Sequence, residues 1–175
     1  MKKLLFLPIC LCLSFCSSKK DSQSKTTIDT ILSISSNCPA YGKCSVELLK
    51  NKSLDIKTDD IGSTYYEIID NPTTSVIQYQ YNKNVPRDLQ DGQLMEQIIF
   101  QIDNNSKSAT FKDLELQKTK MLFVRLCFCR GQTGYYKVVN GSLNINKSDE
   151  TYTIDLKFKM EQVPQLYTTV NVSVK

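Results

Sequence analysis

The side chains able to do chemistry in this 175-residue chain are unevenly chosen: seven cysteines, 18 carboxylates and nine tyrosines, but no histidine and no tryptophan. Without histidine there is no Ser-His or Cys-His nucleophile arrangement and no imidazole metal ligand, and the side chain that titrates nearest neutrality is missing. Hydrolysis would need a Ser-Lys pair or two carboxylates. Asp113 and Glu115 stand two residues apart, but same-face carboxylates on an expected strand make a solvated surface. Asp59-Asp60 and Asp103-Asn104-Asn105 offer oxygen ligands. A calcium loop needs such ligands at alternating positions, and Lys107 stands where one would belong, so these segments are expected as turns. Cys38 and Cys44 are spaced C-x5-C, and Cys127 and Cys129 C-x-C; neither is a common zinc pattern. No catalytic residue, metal site or cofactor is expected.

What the cysteines do depends on the compartment, and the first residues speak to that. Lys2 and Lys3 precede an apolar run over residues 4–15, and the chain turns polar after Cys16 with Ser17, Ser18, Lys19, Lys20 and Asp21. This is the layout of a secretory signal peptide, expected over residues 1–15. Twelve residues span only about 18 Å as a helix against a hydrocarbon core of roughly 30 Å, and Pro8 weakens the helix, so a permanent transmembrane anchor is not expected.

Leu13-Ser14-Phe15-Cys16 resembles a bacterial lipobox, with Leu and Ser at the third and second positions before the cysteine. Phe15 departs from the small residue found there in most lipoboxes, and looser forms of this kind resemble those of spirochaetes and bacteroidetes. The resemblance implies a diacylglycerol thioether on Cys16, cleavage just before it, and a protein held by lipid in the bacterial cell envelope, at the outer membrane. Lys19-Lys20-Asp21 is similar to the charged signal that follows the cysteine in surface-exported bacteroidete lipoproteins. Residues 16–36, rich in Ser, Thr, Lys and Asp, are expected to form a lipidated tether. About twenty flexible residues place a domain roughly 25 Å from the lipid. Ile28, Ile31 and Leu32 also have the spacing of one or two helical turns. With Lys2 and Lys3 removed, 20 basic residues face 18 acidic ones, and neither an arginine-rich patch nor an RNA-binding aromatic motif is present, so no nucleic-acid partner is indicated.

Beyond the lipid acceptor four cysteines remain: Cys38, Cys44, Cys127 and Cys129. In an exported protein an even set implies disulfides. Neighbours two apart on a strand have Cα atoms about 6.5 Å apart, poor geometry for a mutual bond, so Cys38 and Cys44 are expected to pair with Cys127 and Cys129, an internal Cys38 to Cys44 bond with the other two reduced being the alternative.

The elements that must position these groups have a period of two. Tyr152, Ile154, Leu156, Phe158 and Met160 alternate with Thr153, Asp155, Lys157 and Lys159, as a strand with one wet face does. Residues 166–174 repeat the pattern. Tyr135 to Val139 and Leu143 to Ile145 flank Asn140-Gly141, a hairpin signal. Further strands are expected at residues 44–49, 54–57, 64–69, 75–81, 94–102 and 111–116. Residues 121–129 are apolar on both faces with Arg125 as the one charge, which predicts a central strand covered on both sides. About ten short strands over residues 37–175 predict an all-β fold, an antiparallel β-sandwich in a single domain, with a closed β-barrel as the alternative. The order of these last strands is similar to the carboxy-terminal half of small exported all-β bacterial lipoproteins.

Tyr65-Tyr66, Tyr135-Tyr136 and Tyr167, with Arg87 in the loop over residues 82–93, form the candidate binding surface. Consecutive tyrosines on a strand point to opposite faces, and exposed tyrosine suits protein or glycan contacts. The expected function is that of a lipid-anchored, non-enzymatic binding, adhesion or structural module. Its alternative is a small-ligand carrier with an apolar cavity in a lipocalin-like barrel, which large inward Tyr, Phe and Ile residues disfavour.

Overall fold

The computed structural model describes residues 31–34, 38–86, 89 and 91–175. Residues 1–15, Cys16 and most of the expected tether lie outside the described residues, as does Arg87. The described chain forms twelve strands: β1 (Ile31–Ile34), β2 (Gly42–Leu49), β3 (Lys52–Thr58), β4 (Thr64–Asp70), β5 (Thr74–Lys83), β6 (Leu94–Asp103), β7 (Ser108–Lys112), β8 (Leu122–Cys127), β9 (Gly134–Lys137), β10 (Gly141–Ser148), β11 (Thr151–Phe158) and β12 (Thr169–Val174). A 3-10 helix (Asp113–Thr119) separates β7 from β8.

The fold is an antiparallel β-sandwich, and none of its sheets closes into a barrel. The first sheet has the order β1-β12-β11-β10-β7 and the second β2-β5-β6-β8-β9; a separate hairpin, β3-β4, lies on the outer side of the second. The strict alternation of β11 explains the first sheet. Tyr152, Ile154, Leu156 and Phe158 are buried while Thr153, Asp155 and Lys157 stay in water. Their partners across the sandwich are Tyr79, Ile98, Phe100 and Phe123 from the second sheet, large side chains that fill the space between the layers.

The second sheet is apolar on both faces because both are covered. From β8, Phe123 enters the core between the sheets, while Leu122 and Val124 join Leu54, Val76 and Ile99 beneath the β3-β4 hairpin. Central burial of residues 121–125 therefore follows the expectation, but Leu126 is 38% and Phe128 81% exposed. The strand outruns its cover: the hairpin residues packed on this core are Leu54, Ile56 and Tyr66, and the turn that begins after Cys127 leads to Gly131 at φ 73°.

Four local expectations are corrected. Residues 111–116 are not one strand, because β7 stops at Lys112 and Asp113 adopts φ 48° to start the 3-10 helix that buries Leu116. Asn140-Gly141 is not a hairpin turn: β9 belongs to the second sheet and β10 to the first, so the chain crosses between layers there. Gly141 has φ 147°, and a Cβ on it would crowd the Lys157 carbonyl and lie 2.8 Å from Phe158 Cα. The glycine permits that close passage. Within the expected tether, Ile31–Ile34 is a strand paired antiparallel to β12, not a helical turn. The closing strand starts only at Thr169, because Pro164 and the Gln165 side chain hold residues 160–167 irregular; Gln165 Oε1 accepts from the Met160 N–H at 2.5 Å and Gln165 Nε2 donates to the Tyr167 carbonyl at 2.8 Å.

Candidate binding groove at the open end of the second sheet

Register places Lys43, Asn82, Met95 and Leu126 side by side across β2, β5, β6 and β8. This row lies on the outer face, one step beyond Gln80, Gln97, Val124 and Tyr135. The hairpin covers the middle of that face and leaves this end open. Here Val85 and Asp91 before β6 and the turn after β8 bound a groove of about 590 Å³. Its lining mixes apolar Val85, Met95, Leu126 and Phe128 with polar Asn82, Gln93, Lys83 and Asp91, the last two of opposite charge. A groove with apolar side chains set among polar ones suits the capture of an apolar side chain or short segment.

The turn after β8 is held without help from the core. Thr133 Oγ1 accepts from the Cys127 N–H at 3.2 Å and donates to the Cys127 carbonyl at 2.6 Å. The Gln132 N–H donates to the Cys129 carbonyl at 3.2 Å. On the other wall, the Asn84 N–H donates to the Tyr41 carbonyl at 2.7 Å, which fixes the exit of β5.

The Cys38–Cys44 bond corrects the expected pairing. Its Cα atoms are 5.8 Å apart, and the Cys127 and Cys129 side chains stand next to each other at the end of β8. Cys44 lies on β2 and Cys127 on β8, with β5 and β6 between them; three strand spacings amount to about 14 Å, beyond the reach of a disulfide. Cys127 and Cys129 come closer than neighbours on an extended strand, because β8 ends at Cys127 and the bend after it brings the Cα atoms to 5.2 Å.

The candidate tyrosines do not form one surface. Tyr66 and Tyr135 meet edge to face at 5.7 Å, and the Tyr66 hydroxyl donates to Gln97 Oε1 at 3.2 Å. Burial, with Tyr135 adding to it, pushes the Tyr66 phenol up, and the Gln97 contact offsets part of that. Gln97 in turn donates from Nε2 to Gln78 at 3.0 Å. This cluster caps the second apolar core instead of standing free. Tyr136 packs against the main core and Tyr65 is half-buried. Tyr167 is corrected from surface to core: it is 5% exposed and packs on Tyr79 and Phe158. Of the expected surface, the loop over residues 82–93 supplies groove residues, and the tyrosines do not.

Sequence reading passed over Met95, Leu126 and Phe128. Their signal was the Arg130-Gly131-Gln132-Thr133-Gly134 run, turn residues that force the strand to stop before them and strand the apolar side chains at its end. It also passed over Glu96, which faces Arg125 directly across β6 and β8 inside the sandwich. Glu96 is fully buried; its Oε1 accepts from Arg125 Nη1 and its Oε2 from the Leu166 N–H at 2.8 Å. Arg125 also donates to the Pro164 carbonyl at 3.2 Å. Burial pushes the Glu96 carboxyl up, against the pull of the Leu166 N–H and the Arg125 charge. The pair fastens residues 164–166 to the second sheet and is structural. Among the described residues no group of three or more Cys, Asp or Glu is gathered as a metal would require.

Comparison with protein-family models, with curated proteins and with solved structures gives no match to this chain. The class is the architectural one: a disulfide-containing antiparallel β-sandwich with a hairpin over one sheet and a groove at the end of that sheet.

Proposed function

We propose that the chain is a lipid-anchored binding module of a bacterial envelope, and that it recognises an extended apolar segment of a protein partner in the groove of Met95, Leu126 and Phe128. The observation that carries the binding reading is Phe128, 81% exposed at the tip of a hydrogen-bonded turn beside that groove. An exposed phenylalanine contributes nothing to the core, and on a fixed turn it is an anchor that costs little ordering on binding. Lys43 and Asn82 in the same row leave polar side chains along the edge next to β2, as interface rims require.

The envelope reading rests on the apolar run over residues 4–15 and on Leu13-Ser14-Phe15-Cys16. The Cys38–Cys44 bond supports an oxidising compartment. Two or more acyl chains on Cys16 would hold the protein stably at a membrane surface.

Both halves are testable. Cys16→Ser should abolish acyl labelling and move the protein from the detergent phase to the soluble one; persistent labelling would shift the acceptor to Cys10 or Cys12 or remove the anchor. For the groove, peptides selected from a displayed random library on the folded protein should share apolar residues and lose at least tenfold in affinity for Phe128→Ser, the effect of truncating a central aromatic anchor. Peptides that bind parent and variant equally would place recognition elsewhere.

A further inference from the structure

The inward rows of the main core end in polar residues at the end of the sandwich away from the groove. Leu48, Ile77, Ile102, Ile145 and Ile154 are buried in that core. Two positions further toward this end stand Lys50, Ser75, Asn104, Lys147 and Tyr152, drawn from both sheets, and they line a pocket of about 160 Å³. Asn104 frames it. Its Oδ1 accepts from the Ser75 hydroxyl at 2.6 Å, its Nδ2 donates to the Pro72 carbonyl at 3.0 Å, and its carbonyl accepts from Lys147 Nζ at 2.8 Å. Asp103-Asn104-Asn105 thus forms the turn expected of it while fixing a cation in place. Lys147 Nζ also lies 5.0 Å from the centre of the Tyr152 ring. Both of its contacts are uncharged: among the described residues it has no ion pair, and Glu150, the one carboxylate among those lining the pocket, pairs with Lys50 at 3.9 Å. Tyr152 is 4% exposed, and its hydroxyl has no hydrogen-bond partner among the described residues. A half-buried ammonium without a counter-ion and a buried hydroxyl without an acceptor share one small pocket, and each is costly to leave so.

We propose that this pocket binds a small free carboxylic acid as its anion, with one carboxylate oxygen accepting from Lys147 Nζ and the other from the Tyr152 hydroxyl. One anionic group then satisfies both donors through charge-assisted hydrogen bonds. Charge selects a monoanion. Lys50 and Glu150 have 41% and 67% of their side chains in water and offset each other, so Lys147 leaves a single positive charge facing the ligand. Size selects a short acid, since sites for drug-sized molecules measure about 300–1,000 Å³. Ser75 and Asn104, bonded to each other, give the pocket a fixed polar wall, so little ordering is lost on binding. The pocket lies at the opposite end of β5 from Lys83 and the groove, and it depends neither on the groove reading nor on the lipid anchor.

The test titrates the full chain with sodium acetate at constant ionic strength and follows backbone and tyrosine-ring signals by NMR. The signals of Asn104, Lys147 and Tyr152 should shift and saturate in the millimolar range, while those of Met95 and Phe128 in the groove stay still. Sodium chloride over the same range should produce no saturation. Tyr152→Phe keeps the ring and removes only the hydroxyl, and Lys147→Met keeps the length of the side chain and removes only the charge. Each should weaken acetate at least about tenfold, the loss of one hydrogen bond to a charged group, with the remaining spectrum that of the parent fold. Should Lys147→Met unfold, Tyr152→Phe decides alone. Acetate that moves none of these signals, or that binds Tyr152→Phe as tightly as the parent, overturns the site. Tighter binding of inorganic phosphate than of acetate overturns the choice of a monoanion. Tighter binding of an acetylated tripeptide through its free carboxyl end, lost when that end is amidated, overturns the free acid in favour of a chain terminus.

Discussion

β11 and β8 are both strands rich in apolar residues, one from each sheet, and they solve different problems. β11 alternates without exception and buries one face, so every residue has the same fate along its length. β8 is apolar on both faces, which is tolerable only where two layers cover it. The main core takes Phe123 and the β3-β4 hairpin covers Leu122 and Val124, but neither reaches Leu126 and Phe128. The comparison teaches that function is sought where a doubly apolar strand outruns one of its covers, not where a strand alternates.

The largest effects should come from the covered half of β8. Phe123→Asp and Val124→Asp each bury a charge without a partner, on opposite sides of the sheet. Each should cost several kcal/mol and unfold a domain of ordinary stability in thermal melts. If Val124→Asp alone were tolerated, the hairpin would not be a fixed cover and the comparison would fail at its first step.

Next come Arg125 and Glu96. Arg125→Met leaves the Glu96 carboxylate buried with the Leu166 N–H as its remaining partner, at a cost of about 3–5 kcal/mol, whereas replacing both residues with apolar ones of similar volume should cost much less. A double-mutant cycle in urea measures the difference. A smaller effect of the same pair is its pH dependence. Burial holds the Glu96 carboxyl above its ordinary value of 4.5, so over the interval above that value the folded protein keeps a proton the unfolded chain has released. Stability from this group is complete below about pH 4.5 and is lost as pH rises through the folded value. Melting temperatures from about pH 4 to 7 should therefore fall for the parent relative to Glu96→Gln as pH rises; a difference that grows in the parent's favour would reverse the assignment.

The smallest effects should fall on the exposed turn just after β8 and on the wet face of β11. Phe128→Ser and Lys157→Asp should each change stability by under about 0.5 kcal/mol. Only Phe128→Ser should weaken peptide binding, which separates a recognition residue from a merely exposed one.

Period two made the sandwich legible: β11 and the core positions Val170, Val172 and Val174 of β12 follow from alternation alone. Alternation failed where a change of layer, not of local pattern, decided the outcome. Asn140-Gly141 has the chemistry of a hairpin turn, yet it passes between sheets because β10 pairs with β7 and β11 instead of β9. Phe111 and Leu116 hold strand-like positions, yet the positive φ of Asp113, whose carboxylate accepts from the Gly141 N–H at 3.0 Å, turns the chain into a helix. The candidate site was half legible. The loop over residues 82–93 was named for recognition, while Leu126 and Phe128 were hidden inside an apolar run whose cover no local signal could delimit. The cysteine pairing was illegible because it depended on the sheet order, which sets β5 and β6 between Cys44 on β2 and Cys127 on β8.

Side-chain labelling of the folded protein by hydroxyl radicals, read residue by residue in a mass spectrometer, tests the central claim most directly. If the segment from Met121 to Phe128 passes from core to recognition surface along its length, Phe128 should label at a rate near that of an unfolded control and Leu126 at an intermediate one, while Met121, Phe123 and Val124 should be strongly protected. Protection of Phe128 equal to that of Phe123 would mean that the end of the strand is covered like its middle, and would contradict the account.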